Sequence, residues 1–118
     1  MDKQQLLQDL REASGPRTLI RVESGFYQGL EWPIDRASTV IGRGRTADLV
    51  LSEATISRAH ALLGFKGDRP FVHDLGSTNG TLLNGVREQE ASLAEGDELR
   101  MGKLVFRIVV REGAGDVN

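Results

Sequence analysis

The chain has 118 residues, with 15 lysine or arginine residues against 17 aspartate or glutamate residues and a formal net charge of -2. This length holds at most one domain with one core, and the charge excludes binding to nucleic acid or anionic lipid by bulk electrostatic attraction. The absence of cysteine excludes disulfides and cysteine-based metal sites.

The first predicted element is a short N-terminal helix. Three leucines recur at helical spacing within residues 2–12: Leu6, Leu7 and Leu10. The sequence ASGPR at 13–17 then ends the helical pattern, because Gly and Pro disfavour continued helix. No apolar run approaches the roughly 18 residues of a membrane span. We therefore expect residues 1–17 to be a helical or flexible extension of a soluble, cytoplasmic protein.

From residue 18 onwards the pattern is that of β-strands. The stretches TLIRVE at 18–23 and KLVFRIVVRE at 103–112 alternate apolar and polar side chains. Turn sequences such as KGDRP, NG and EGD separate further short candidate strands at 27–32, 38–41, 49–51, 59–65, 70–75, 81–83, 86–88 and 97–101. Many short strands with no helix between them indicate an antiparallel sandwich or barrel over residues 18–111. Residues 112–118 are predicted to be a flexible tail.

Three loops carry more polar groups than a turn requires: residues 41–51, 52–60 and 73–85. They contain guanidinium, hydroxyl and amide groups on Arg43, Arg45, Thr55, Ser57, Arg58, Ser77, Thr78 and Asn79. Guanidinium groups, short hydroxyl donors and glycine-exposed amides suit an oxyanion such as phosphate. The nucleotide-binding pattern GxxxxGK[ST] is absent. The loops therefore predict an anion site formed by side chains and not a nucleotide site.

The motifs in these loops, taken in order, resemble the forkhead-associated (FHA) domain, a phosphothreonine-peptide binding module. They are Gly42 and Arg43 followed by DLVL, SRAH at 57–60, and DLGSTNGTLLNG at 74–85. The resemblance extends over about residues 18–111. It implies an all-β fold, a two-sheet antiparallel β-sandwich of about eleven strands that binds its ligand with loops at one end.

The resemblance also implies roles for individual residues. Arg43 would be the principal phosphate-binding cation, Ser57 would donate its hydroxyl to a phosphate oxygen, and Arg58 would supply a second contact. Thr78 would line the phosphate site, and Asn79 would bond the peptide backbone beside the phosphothreonine. Four further residues would hold the loops in shape: Gly42, His60, Gly80 and Asn84.

The function implied is recognition of phosphothreonine-containing segments of partner proteins in Ser/Thr kinase signalling. The partner would be a kinase, a kinase substrate or a tail of the same polypeptide. We expect no enzymatic activity, no cofactor or metal, and no nucleic-acid or membrane partner.

Three other interpretations of this region are open. Ser57, His60 and Asp74 supply the parts of a hydrolase triad, although the chain has no GxSxG motif. His60, His73 and Asp74 could supply metal ligands, although two histidines without a spacing motif make a poor first shell. A sandwich of the same fold could also act as a phosphate-independent interaction scaffold.

Overall fold

The fold is a two-layer β-sandwich. The computed structural model describes residues 2–6, 16–35 and 37–112, and these contain eleven strands. In chain order they are β1 (Arg17–Val22), β2 (Glu31–Ile34), β3 (Thr39–Gly42), β4 (Leu49–Val50), β5 (Ala61–Lys66), β6 (Arg69–Asp74), β7 (Thr81–Leu83), β8 (Val86–Arg87), β9 (Glu90–Ser92), β10 (Glu98–Met101) and β11 (Leu104–Arg111). One sheet has the order β2-β1-β11-β10-β7-β8 and the other β4-β3-β5-β6-β9. The predicted two-sheet β-sandwich is confirmed.

The core lies between the two sheets, where every second side chain of the long strands points inward. Ile20 of β1 and Phe106 of β11 are almost fully buried, as are Leu63 of β5 and Val72 of β6. Burial of such side chains is the main stabilising term for a domain of this size. The alternation read from TLIRVE and KLVFRIVVRE therefore reflects a sheet with one buried face.

Charged side chains pair on the opposite face of the first sheet. Glu23 accepts hydrogen bonds from Arg107 Nε at 3.0 Å and from Arg21 Nε at 3.1 Å. Both bonds lower the pKa of Glu23, and the bond from Arg107 has the larger effect. Arg21 of β1 and Arg107 of β11 thus both form ion pairs with Glu23, which directly follows β1.

Three details differ from the predicted strands. The segment predicted as a strand at 27–32 begins with a turn, closed by hydrogen bonds from Gly29 N to Val22 O and from Leu30 N to Tyr27 O, so β2 starts at Glu31. Gly25 and Gly29, both at positive φ, permit this turn. Strand β9 was not predicted, because only one of its three residues is even partly buried. The short pair β3–β4 is parallel, whereas the prediction was antiparallel throughout.

The structure describes only part of the predicted N-terminal extension. Residues 3–6 form one helical turn, which Asp2 caps by accepting a hydrogen bond from Gln5 N at 2.8 Å. Leu6 is exposed, whereas Leu7 and Leu10 lie outside the described residues. No helix within residues 2–6, 16–35 and 37–112 is long and apolar enough to cross a membrane.

Strand register gathers the polar loops at one end of the sandwich. Ile41 near the end of β3 pairs with Ala61 at the start of β5, and Ala61 pairs with Asp74 at the end of β6. In the other sheet Thr81, which starts β7, pairs with Met101 at the end of β10. The segments 43–48, 51–60, 75–80 and 102–103 therefore meet at the same end.

Candidate functional site

The first part of the site is a backbone junction between segments 43–48 and 51–60. Arg43 N donates to Ser57 O and Gly44 N donates to Arg58 O, both at 3.0 Å. A Cβ atom on Gly42 would lie 2.0 Å from the Arg58 carbonyl oxygen. Glycine at 42 is therefore a steric requirement of the junction that holds Arg43 and Arg58 side by side.

Within the described residues, the arginines of this junction use few of their side-chain donors. Arg43 is exposed, and its Nε donates to Ile56 O at 3.0 Å, which fixes the direction of the guanidinium. In the described part of the chain neither Arg43, Arg45 nor Arg58 forms an ion pair. The Nη groups of Arg43 are consequently available to an anionic ligand.

The carboxylates nearest to this junction in the sequence are already engaged. Asp48 accepts a hydrogen bond from Val40 N at 2.8 Å. Glu53 accepts one hydrogen bond from the Thr55 hydroxyl and one from Thr55 N. Both bonds lower the pKa of Glu53, and the bond from the hydroxyl has the larger effect. Both side chains are therefore held by local donors and do not neutralise the arginines.

His60 connects two of the loops. It is fully buried, and its Nδ1 accepts a hydrogen bond from Ser57 N at 3.1 Å. The ring proton must then be on Nε2, which donates to Gly80 O at 2.9 Å. His60 therefore fixes segment 57–60 against segment 77–80.

Ser57 and Thr78 are joined directly. Ser57 Oγ accepts a hydrogen bond from Thr78 N at 3.0 Å. Since the oxygen serves as the acceptor, the Ser57 O–H remains a donor with no partner among the residues that the structure describes. The exposed Thr78 side chain lies beside it. The pair thus offers hydroxyl donors at the surface where the arginine junction lies.

Asn79 is exposed but held in a defined orientation. Its Nδ2 donates to Thr55 O at 2.8 Å, and Thr55 in turn accepts a hydrogen bond from Lys103 N on Oγ1 at 2.8 Å. The amide oxygen and the second Nδ2 hydrogen have no partner within the described ranges. One acceptor and one donor are what a side chain needs to bond both main-chain groups of a peptide.

The carboxylate of Asp74 stabilises the loop that follows it in the chain, a role that was not predicted from the sequence. Oδ1 accepts from Gly76 N and Ser77 N, and Oδ2 accepts from the hydroxyls of Ser77 and Thr81. Burial alone would raise the pKa of Asp74, but the hydrogen bonds from Ser77, Thr81 and Gly76 outweigh it and lower the pKa. The spacing of donors after Asp74 in DLGSTNGT is the local pattern of an Asx turn and could have indicated this.

The remaining two scaffold residues occupy opposite ends of β7. Gly80 has φ of 79° and donates its N–H to Ser77 Oγ at 2.9 Å, within the loop itself. Asn84 lies in the two-residue turn to β8 with φ of 50°, and its amide bonds Asp97 Oδ1 and Glu98 N. Asn84 therefore supports the far end of β7, and its side chain makes no hydrogen bond with the described segments 43–48, 51–60 or 75–80.

The residues that the structure describes form neither the hydrolase triad nor the metal site that were considered from the sequence. Both ring nitrogens of His60 bond to backbone groups, and neither reaches Ser57 Oγ or Asp74. A hydrolase triad is thus not formed. Within residues 2–6, 16–35 and 37–112 no group of three or more His, Asp or Glu side chains could hold a metal ion.

Comparison with known proteins identifies the family. The family model for the FHA domain matches residues 39–102. An oxoglutarate dehydrogenase inhibitor of Corynebacterium jeikeium is 36% identical over 96 residues, which are 81% of this chain and 65% of that protein. The glycogen accumulation regulator GarA of Mycolicibacterium smegmatis is 38% identical over 95 residues, or 80% of this chain and 59% of GarA. The chain thus matches less than two thirds of the length of either protein.

A solved structure agrees with these sequence matches. It is an FHA domain analysed for phosphothreonine-dependent interactions, with a TM-score of 0.74 and 30% identity over 80% of this chain and 97% of that one. The region that the family model matches, residues 39–102, contains the strands and loops that carry Arg43, Ser57 and Asn79. Sequence and fold agree, and the chain belongs to the FHA domain family.

Proposed function

We propose that this chain is a non-catalytic module that binds phosphothreonine in segments of partner proteins. The observation that carries the proposal is the set of unused donors at one end of the sandwich. Arg43 presents its Nη groups, and Ser57, whose oxygen accepts a hydrogen bond from Thr78 N, presents a hydroxyl proton that has no acceptor among the described residues. A phosphothreonine offers about -1.5 to -2 charges and three acceptor oxygens, which such donors match.

The proposed roles are those that the family resemblance implies, and the positions of the side chains support them. Arg43 and Ser57 bind the phosphate directly, Arg58 adds a second cationic contact, and Thr78 lines the phosphate site. Asn79 bonds the main chain of the residue beside the phosphothreonine. Because phosphothreonine is made by Ser/Thr kinases, the partner is a kinase or a kinase substrate, and we place the interaction in the cytoplasm.

Titration with an oriented phosphothreonine peptide library tests the proposal. We expect binding that requires the phosphate, with matched unphosphorylated peptides showing none at the same concentrations. A folded chain that binds no phosphorylated peptide, or binds both libraries equally, would instead favour a phosphate-independent scaffold. Circular dichroism of the same sample shows that the chain is folded.

Peptides that mimic phosphothreonine imperfectly should bind less well. Aspartate carries one charge on a planar group, so we expect its peptide to bind more than about tenfold more weakly than the phosphothreonine peptide. Phosphoserine lacks only the methyl group, which is worth about 1 to 3 kcal/mol in a fitted pocket, so a loss of about tenfold is expected. Fluorescence anisotropy with the three peptides in one background measures both ratios. Equal affinity for the aspartate peptide would contradict phosphate recognition.

A further inference from the structure

Arg87 lies against the loop that carries Asn79. Strand β8 pairs with β7 so that Arg87 is opposite Leu82, and Glu88 N donates to Thr81 O at 2.9 Å. A Cβ atom on Gly80 would lie 2.7 Å from Arg87 Nε and 2.8 Å from Arg87 Cζ. The guanidinium therefore occupies the space over the Gly80 Cα atom, one residue after Asn79.

The position of Gly80 is fixed independently of this arginine. Gly80 N bonds Ser77 Oγ, and Gly80 O bonds the buried His60 ring. Arg87 thus packs on a rigid piece of backbone. A planar, weakly hydrated guanidinium can pack in this way while its edge N–H groups remain directed outward.

Those N–H groups have no partner within residues 2–6, 16–35 and 37–112. Arg87 is exposed, and in the parts of the chain that the structure describes it forms no ion pair or hydrogen bond through its side chain. Glu90, a nearby carboxylate in the sequence, pairs with Lys66. A guanidinium with a free edge is suited to a planar carboxylate or to a phosphate group.

Arg87 also lies on a different side of the site from Thr55. Thr55, the partner of the Asn79 amide, rests on the β10–β11 turn through Lys103 N. Strand β10 flanks β7 on one side and β8 flanks it on the other. Because Arg87 lies against Gly80, one residue after Asn79, a peptide bonded at Asn79 and extended towards β8 by about 3.3 Å per residue would pass Arg87 within a few residues.

We propose that Arg87 is a specificity-determining residue that binds a second anionic group on one flank of the phosphothreonine. The group is the carboxylate of an Asp or Glu side chain, or a second phosphate on the same peptide. This inference rests on the proposed function. In this assignment Arg87 recognises the sequence that flanks the phosphothreonine and lies outside the phosphate site formed by Arg43, Ser57 and Thr78.

A positional scan tests the assignment. Phosphothreonine peptides with a neutral background carry one Glu at each position on either side of the phosphothreonine, and anisotropy gives their affinities for the wild-type chain, Arg87→Gln and Arg100→Gln. Arg100 is the matched control because it is exposed and pairs with Leu82 from β10, opposite to Arg87. Both variants remove one positive charge from the same sheet.

We expect Glu at one position to improve wild-type affinity by about threefold to tenfold, as for an exposed charge-assisted hydrogen bond. Arg87→Gln should lose this gain but bind the neutral phosphopeptide as the wild type does, and Arg100→Gln should keep the gain. Phosphoserine at the favoured position, compared with Glu, distinguishes the two sources of the anionic group.

Other results would overturn the assignment. They are the absence of any favoured position, a gain that survives in Arg87→Gln, or an equal loss in Arg100→Gln, which would indicate a general field of positive charge. An Arg87→Gln variant that weakens every phosphopeptide equally would instead place Arg87 in the phosphate site. If the wild type fails to bind the neutral phosphopeptide at all, the proposed function itself fails, and the assignment fails with it.

Discussion

Replacing Arg43 by alanine is expected to weaken phosphothreonine-peptide binding by about thirty- to hundredfold, the equivalent of about 2 to 3 kcal/mol for lost charge-assisted hydrogen bonds. The side chain is exposed and makes one hydrogen bond within the described residues, from Nε to Ile56 O. Its loss should therefore affect the stability of the fold little. The backbone bond from Arg43 N to Ser57 O does not depend on the side chain.

The control for this experiment lies two residues away. Arg45 is exposed in the same segment and has no ion pair in the described ranges. Arg45→Ala therefore removes one positive charge from the same segment but leaves Arg43, which is oriented by its hydrogen bond to Ile56 O, in place. Anisotropy titrations measure binding, and thermal denaturation measures stability. The role assigned to Arg43 is wrong if Arg43→Ala binds normally, or if Arg45→Ala loses as much affinity.

Most of the fold could be predicted because hydrophobic alternation reports directly which face of a strand is buried. Ile20, Val22, Phe106 and Ile108 alternate with polar residues, and all four are core residues in the structure. The same reasoning missed β9, whose pairing with β6 is a long-range contact with no apolar pattern of its own.

The site could be predicted only as far as its motifs. The family resemblance assigned binding roles to Arg43, Ser57 and Asn79 and a scaffold role to Gly42, but the requirement for glycine at 42 comes from the Arg58 carbonyl, 16 residues further along the chain. Thr55 accepts a hydrogen bond from Asn79, and Arg87 lies against Gly80, through contacts that depend on the tertiary fold. Local sequence carries no information about such contacts.

Asp74→Asn is expected to destabilise the domain by about 2 to 4 kcal/mol, because it breaks a buried, charged hydrogen-bond network. Each carboxylate oxygen accepts two hydrogen bonds, so an amide group in either orientation places its NH₂ against donors. Ser77 Oγ cannot adapt freely, since it already accepts from Gly80 N. We expect a decrease of about 10 to 20 °C in Tm and weaker phosphopeptide binding.

The same residue should contribute to the acid sensitivity of the fold. The folded-state pKa of Asp74 is lowered, so the unfolded chain takes up the proton first as the pH falls. The stabilisation is complete above the unfolded-state pKa of about 3.9 and is lost as the pH falls through the folded-state value. Urea denaturation between about pH 3 and pH 7 should therefore show a smaller loss of stability in acid for Asp74→Asn than for the wild type.

A second aspartate variant separates this network from a general effect of removing a carboxylate. Asp48 accepts one hydrogen bond from Val40 N, and asparagine can retain that bond through its amide oxygen. Asp48→Asn should therefore lower the stability much less and leave binding nearly intact. If Asp74→Asn behaves like Asp48→Asn in both Tm and acid profile, Asp74 does not hold the loop. If Asp74→Asn alone loses stability and affinity together, the presentation of Thr78 and Asn79 depends on the buried carboxylate beneath them.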